Sequence, residues 1–538
     1  MIRDSHFYNH PMVESPTLVS DANSTPRLRR FLATWAILGV LFLALQAAWS
    51  FASPPGFRSD EPSHITKAAG LVRGQLIGTT GTNLIGRPAN RTFEVPQTYA
   101  SESLQCTKKL SANAPAGCMG SLKNLPRTVS SESYTGRYPP LYYALVGVPS
   151  LFGTSQWLVI AMRLVSSALN AVMFALAGAV ALCWLRSRLV GVGTLLVASP
   201  MILYLTSAVN PNGLEITAAL AGWVCGLALM ERAEERPSHL LLALFTASLA
   251  VSASMRALSV LWVLMILGTL VLYRPAAWRS LWRSRSVRVG AVILGAVMVI
   301  DLVNVVVAKA YLLRRADPSR VVAPGSPFFE HLKVALKGFT GYRGYGSQLI
   351  GIHYGFASPI FFRVLIGLAL GVMILGGLFF AAQRGRLIII GILLASAFAS
   401  IVIPLKNQLG VGDPGNTWNA RYVMPYLVGA LVISAYEVAR RSQLDRSWVP
   451  FAIAGAMSIG TLMGLYTTLV RQMIGLGHGW NVFATVADGW HPPIPVAAVL
   501  ALGLAGTAGL VVVLSVRRLP LVGAIPKGVP EQSTPGGN

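Results

Sequence analysis

Residues 31–52 read FLATWAILGVLFLALQAAWSFA, and residues 60–64 read DEPSH. The first stretch is about twenty apolar or small residues, enough to cross a hydrocarbon core as one helix. It is longer than the apolar region of a signal peptide, so a retained helix is expected although Ser50-Phe51-Ala52 mimics a cleavage site. The second stretch puts Asp60 and Glu61 within a few residues of the helix end, with His64 one turn later. Carboxylates so close to a bilayer are costly unless they have a partner or a task.

The same apolar signature recurs along the chain. Of its 538 residues, 54% are hydrophobic, and the mean hydropathy is +0.58. An all-α polytopic membrane protein with about twelve transmembrane helices is expected. The spans are placed at 31–52, 156–185, 189–207, 213–231, 239–255, 257–273, 288–308, 362–382, 387–404, 420–438, 448–470 and 493–516. The net charge of +24 raises nucleic acid as a partner. Most of the arginines fall in short loops between apolar runs, however, so membrane topology and anionic headgroups account for them, and no nucleic acid is expected.

Threading the spans by positive charge puts the Arg-rich short loops, both termini and Arg283 in the cytoplasm, and Lys67 outside. Residues 1–30 and 517–538 are polar and read as disordered tails around a membrane domain at 31–516. Two long segments, 53–155 and 309–361, lie on the outer side. In the first, a helix from Glu61 to Arg73 is expected, with Ser59 or Asp60 as its N-cap and Pro62 in its first turn. Tyr138-Pro139-Pro140-Leu141-Tyr142-Tyr143 starts a short interfacial helix ending before Gly153, with its tyrosines at headgroup depth. In the second, residues 328–337 are amphipathic and are expected on the membrane surface. No internal repeat stands out, which disfavours transporters built from inverted repeats.

Four groups of residues could carry chemistry. Asp60 and Glu61 could take a proton from an acceptor hydroxyl, or ligate a divalent metal (Mg or Mn) that bridges to a phosphate. The plain alternative is an acidic helix N-terminus. His64 shares their face. Arg256, Arg343 and Arg421 are cations at outer positions, suited to a phosphate leaving group, and otherwise would snorkel to headgroups. Asn210 and Glu215 open a span, while Asp301 lies at membrane depth, where it either works or pairs with a residue such as Arg163. Trp418, Trp480 and Trp490 could stack on sugars or belong to an interfacial belt. Cys183 and Cys225 read as buried apolar residues. Cys106 and Cys118 share the first long loop without metal-ligand spacing. They are expected to form a disulfide on an oxidising side, and otherwise are two free thiols.

Four motifs stand in a fixed order: Asp60-Glu61-Pro62-Ser63-His64, Tyr138-Pro139-Pro140-Leu141-Tyr142-Tyr143, Asn210-Pro211-Asn212 and Ala420-Arg421-Tyr422-Val423-Met424-Pro425. Together they resemble the GT-C class of polytopic glycosyltransferases. Within it the chain looks most like the bacterial membrane proteins grouped as domain-of-unknown-function family 2142. That group often has Asp where this chain has Asn212. The resemblance implies a bacterial cytoplasmic-membrane enzyme whose active site faces outward. It would use a polyprenyl-phosphate sugar donor and an envelope glycan or glycolipid acceptor. Asp60 or Glu61 would be the base, with His64, Asn210, Arg256, Arg343, Arg421 and Trp418 binding substrate. A transporter or flippase of a lipid-linked envelope precursor is the main alternative, and a structural subunit of an envelope complex is the third.

Overall fold

The computed structural model describes residues 24–58, 60–80, 90–104, 115–117, 122–233, 238–309, 327–340, 360–411, 419–484 and 489–515. Cys106, Cys118, Arg343 and Trp418 therefore lie outside the described residues.

Each expected span coincides with helix. In chain order the long helices are α1 (Ser24–Phe51), then, after a short α2 (Glu61–Leu71) and α3 (Leu141–Val146), α4 (Gln156–Cys183). They continue with α5 (Arg188–Val197), α6 (Pro200–Thr206), α7 (Pro211–Glu231), α8 (His239–Ala253) and α9 (Ser259–Tyr273). Next come α10 (Pro275–Trp282), α11 (Arg285–Val307), α12 (Phe328–Thr340), α13 (Ile360–Phe380) and α14 (Gln383–Val411). The last are α15 (Met424–Arg441), α16 (Val449–Met473) and α17 (Val496–Ser515). Among the described residues nine helices are long and apolar enough to span a bilayer, and α5–α6 and α9–α10 are bent pairs. With α8, only 15 residues long, they make up the expected set. Large apolar side chains stand exposed around α11, α13 and α14, Val292, Phe379 and Phe398 among them, as lipid-facing helices require. The chain is a multi-pass membrane protein.

The core sits between α1, α4, α7, α15 and α17. Phe42 of α1 stacks on Phe174 of α4 at 4.9 Å. Gly506 of α17 lets α1 approach closely, since a Cβ there would come within 2.8 Å of the Leu45 backbone nitrogen, the usual service of small residues in membrane bundles. The α5–α6 break has a local cause: Pro200 offers no N–H, so the backbone leaves the helix at Ala198 and Ser199. The two halves meet at 68°.

The first long loop folds onto one end of this bundle. Strands β1 (Thr79–Thr80), β2 (Arg91–Pro96) and β3 (Thr128–Ser133) form an antiparallel sheet in that order. The sheet was not foreseen, because its strands are short and largely polar. α2 packs on β2 and β3 through Ile65, Ala68, Ala69 and Phe93. Gly70 is required there: a Cβ would meet the Phe93 ring at 2.4 Å. The short helix at 141–152 exists as expected, but its tyrosines do not face headgroups. Tyr142 and Tyr143 are fully buried, and the exposed side chains are Leu141, Leu145, Leu151 and Phe152. α12 lies on the surface with Phe328 and Phe329 exposed and His331 and Ala335 turned inward.

The other end of the bundle is held by ionic contacts. Arg188, at the start of α5, donates to Ser515 O at 2.7 Å and to Ser447 O at 3.1 Å. Arg274 pairs with Glu231 at 2.9 Å. The helix ends carrying these arginines thus share one end of the molecule, opposite Asp60.

Candidate functional site

The turn between α1 and α2 is built around two buried guanidiniums. Arg58 donates to Ser53 Oγ at 2.8 Å and Tyr204 O at 2.7 Å. Arg163 of α4 donates to Ser50 O, Ser53 O and Pro54 O at 2.7–3.0 Å. Glu61 completes the knot. Its Oε1 accepts from Arg163 Nε at 2.7 Å and Val209 N at 3.2 Å. Its Oε2 accepts from Arg163 Nη2 at 2.5 Å and Gly56 N at 2.9 Å. A carboxylate offers about four acceptor sites, so Glu61, fully buried, has none left for an acceptor hydroxyl. The expectation that either acid could be the base is corrected: Glu61 is committed to holding the turn. The same contacts correct the pairing of Arg163 with Asp301. Asp301 instead accepts from Ser254 Oγ at 2.7 Å.

Asp60 is different in every respect. It stands at the N-cap of α2 with φ +67° and makes no side-chain cap hydrogen bond. Its carboxylate turns away, to Arg421 Nη2 at 2.5 Å, and keeps 32% of its side-chain surface exposed. The Tyr134 hydroxyl donates to it as well. Burial alone would raise its pKa; the Arg421 guanidinium, the Tyr134 hydroxyl and the nearby His64 and Arg256 win, bringing it down to about 2. The acidic-cap reading of this residue therefore fails on geometry.

Arg421 lies in the 3-10 turn Ala420–Val423 that leads into α15. It is 1% exposed, and its Nε and Nη1 have no hydrogen-bond partner. Buried donors left unpaired are rare and call for an explanation. Arg256 sits in the turn between α8 and α9. Its guanidinium lies 4.0 Å from the Tyr422 ring centre and 5.6 Å from that of Tyr138. Glu215 of α7 braces it at 3.9 Å, and is itself held by Ser259 Oγ at 2.7 Å and Asn212 Nδ2 at 3.0 Å.

His64 and Lys67 of α2 position the remaining wall. His64 Nδ1 is 2.8 Å from Tyr143 Oη. Burial, reinforced by Arg256 and Arg421, pushes its pKa down to about 3 against the pull of Asp60, so the imidazole is neutral at physiological pH. The fully buried Lys67 ammonium donates to the carbonyls of Thr135 (3.2 Å), Gly136 (3.0 Å) and Tyr138. This clamps the 134–138 segment so that Tyr134 and Tyr138 border Asp60 and Arg256.

Asp60, His64, Arg256 and Arg421, singled out from sequence, thus converge. Asn210 serves the fold: its side chain accepts from Asn212 N at 3.0 Å and caps α7, so its reading as a substrate ligand is replaced by that of a cap. Trp490 is buried in the main core and Trp480 is half exposed. Tyr134, Tyr138, Tyr143, Tyr422 and Lys67 were missed as site residues. Two signals were available: Tyr138, Tyr143 and Tyr422 lie inside the quoted motifs, and Lys67 falls one turn beyond His64 on the same helix face.

The residues do not fit a protein-held divalent ion. Asp60 and Glu61 are engaged by different guanidiniums, and among the described residues no three His, Cys, Asp or Glu side chains converge. The reading of the two acids as a metal-ligand pair is corrected accordingly.

A family model described as Predicted membrane protein (DUF2142) matches residues 42–430. That interval contains Asp60, His64, Arg256 and Arg421 together. No curated protein matches the chain.

Proposed function

The chain belongs to the DUF2142 family of membrane proteins, and from that premise we propose that it is a membrane glycosyltransferase of the GT-C type. It would move a sugar from a polyprenyl-phosphate donor to a cell-envelope glycan or glycolipid on the outer face of a bacterial cytoplasmic membrane. The observation that carries the reading is Asp60: a part-exposed carboxylate beside two guanidiniums, one with two orphaned donors.

The chemistry follows from those groups. An acceptor hydroxyl bound at Asp60 attacks the anomeric carbon of the donor sugar. Its proton passes to the Asp60 carboxylate as the new glycosidic C–O bond forms. The bond between the anomeric carbon and the phosphate oxygen breaks, and its electron pair leaves with the polyprenyl phosphate. Arg421 and Arg256 absorb that charge. A single displacement inverts the anomeric centre. Neutral His64 and the hydroxyls of Tyr134 and Tyr138 supply uncharged hydrogen-bonding groups for the sugar.

One observation favours the flippase alternative. The α5–α6 helix is broken inside the bundle, and discontinuous helices are a habit of transporters. Reconstituted full-length protein supplied with a panel of polyprenyl-phosphate sugars and envelope glycans separates the two. Glycosylated acceptor supports the transferase. Donor moved between leaflets with its sugar intact, and no product, overturns it.

A further inference from the structure

We propose that Asp60 occupies the position of the donor's phosphate in the resting protein, so that donor must bind first and thereby release Asp60 for the acceptor. The inference rests on the glycosyltransferase reading for its kinetic consequence, but not for its binding test.

Three observations lead to it. The Asp60–Arg421 pair is incomplete: only Nη2 of Arg421 is engaged, while Nε and Nη1 are buried without partners. A single carboxylate oxygen uses one edge of a guanidinium fork. A phosphate, with several anionic oxygens, can engage it bidentately. Secondly, the two partners are unequally housed. Arg421 is 1% exposed and Asp60 32%, so the cation is fixed and the anion can move. Asp60 has no cap bond to its own helix, whereas its neighbour Glu61 is tied by four donors. Thirdly, Arg256 is already braced by Glu215 and lies against the Tyr422 ring. It can bind an arriving anion without first giving up Asp60.

In the resting state Asp60 is a poor base, because Arg421 stabilises its charged form. A phosphate seated on Arg421 takes over that guanidinium and adds negative charge beside the carboxylate. Both changes make Asp60 more basic when a hydroxyl acceptor arrives. Acceptor bound without donor would find the base still occupied, which suppresses wasteful chemistry.

The test is a binding measurement on the full-length protein in nanodiscs, with a short polyprenyl phosphate as probe and the matching uncharged prenol as control. Asp60→Asn keeps the side chain's size and removes the competitor. It should bind the phosphate roughly tenfold more tightly, the scale of a close ion pair, with prenol binding unchanged. In an Arg421→Gln background the Asp60→Asn gain should disappear. Asp60→Glu, which keeps the charge, should not show the gain. Unchanged or weaker phosphate binding by folded, monodisperse Asp60→Asn overturns the proposal, and so does a gain of equal size without Arg421. Sugar transfer by the wild type would survive that failure. Conversely, tighter phosphate binding with no transfer from any donor would sustain the competition and sink the glycosyltransferase.

Discussion

Helices α7, α9 and α15 run the depth of the bundle and carry ionic groups at both ends. At one end Glu231 takes Arg274 at 2.9 Å, the Tyr436 hydroxyl and, at 3.9 Å, Arg440. Next to it Glu437 takes the Tyr273 hydroxyl and, at 2.8 Å, Arg441. At the other end stand Glu215, Arg256, Asp60 and Arg421, and here a buried guanidinium keeps two donors unpaired. Polar groups buried for structure are normally satisfied. The end where satisfaction fails is the end that awaits a ligand, and the closed network opposite serves as its internal control.

The contrast can be broken most severely at Glu61, the one acid of the Asp60 end that is closed like the opposite network. Glu61→Gln leaves the Arg163 charge buried without a counter-ion. Losing one partner of a buried pair costs about 3–5 kcal/mol, so the variant should be expressed poorly or melt far below the wild type. Its thermal stability in detergent measures this. A wild-type melting temperature would show that the knot is dispensable.

Asp60→Asn should do the reverse, leaving the fold intact and reducing single-turnover sugar transfer by a factor of roughly 10² or more, the scale of a general base. Full activity in this variant would reduce Asp60 to an ordinary ion-pair partner. Tyr273→Phe, at the closed end, removes one hydroxyl from Glu437. A loss of about 1 kcal/mol of stability is expected, with phosphate binding and turnover unaffected. A change in turnover beyond that of the folded fraction would mean the two ends are coupled through α9 and α15.

The smallest effect concerns pH. His64 has a folded-state pKa near 3, below its ordinary 6.5. Between those values the unfolded chain holds the extra proton, so stability rises with pH through this window and levels off above 6.5. His64→Gln should flatten the upper part of that slope, above the pH where unfolded carboxylates titrate. Melting temperatures with the same slope in both proteins would place the titration elsewhere.

How far the sequence reaches depends on the kind of signal. The spans were legible because each is a long uninterrupted apolar run. Asp60, His64, Arg256 and Arg421 were legible because charge close to such a run demands a partner. Asp60 and Glu61 could not be told apart, since adjacent helical residues point about 100° apart and nothing local says which meets Arg163 and which Arg421. Tyr142 and Tyr143 misled for a related reason. Tyrosine at the start of an interfacial helix suits headgroups, but α3 is covered on that face by α2 and α4, and only the tertiary arrangement reveals it. The sheet left no trace, because strands such as Thr128–Ser133 lack apolar alternation.

The burial of Lys67 has a practical use. Its amine is spent on three carbonyls and sealed from solvent, while Lys123 stands exposed in the same loop. An acylating reagent added to folded protein should therefore tag the peptide containing Lys123 and spare the one containing Lys67. Mass spectrometry of the two peptides would read out the folded fraction of any variant in the native membrane, without purification or an activity assay. It also disqualifies position 67 as a reporter of sidedness, a task that falls to Lys123.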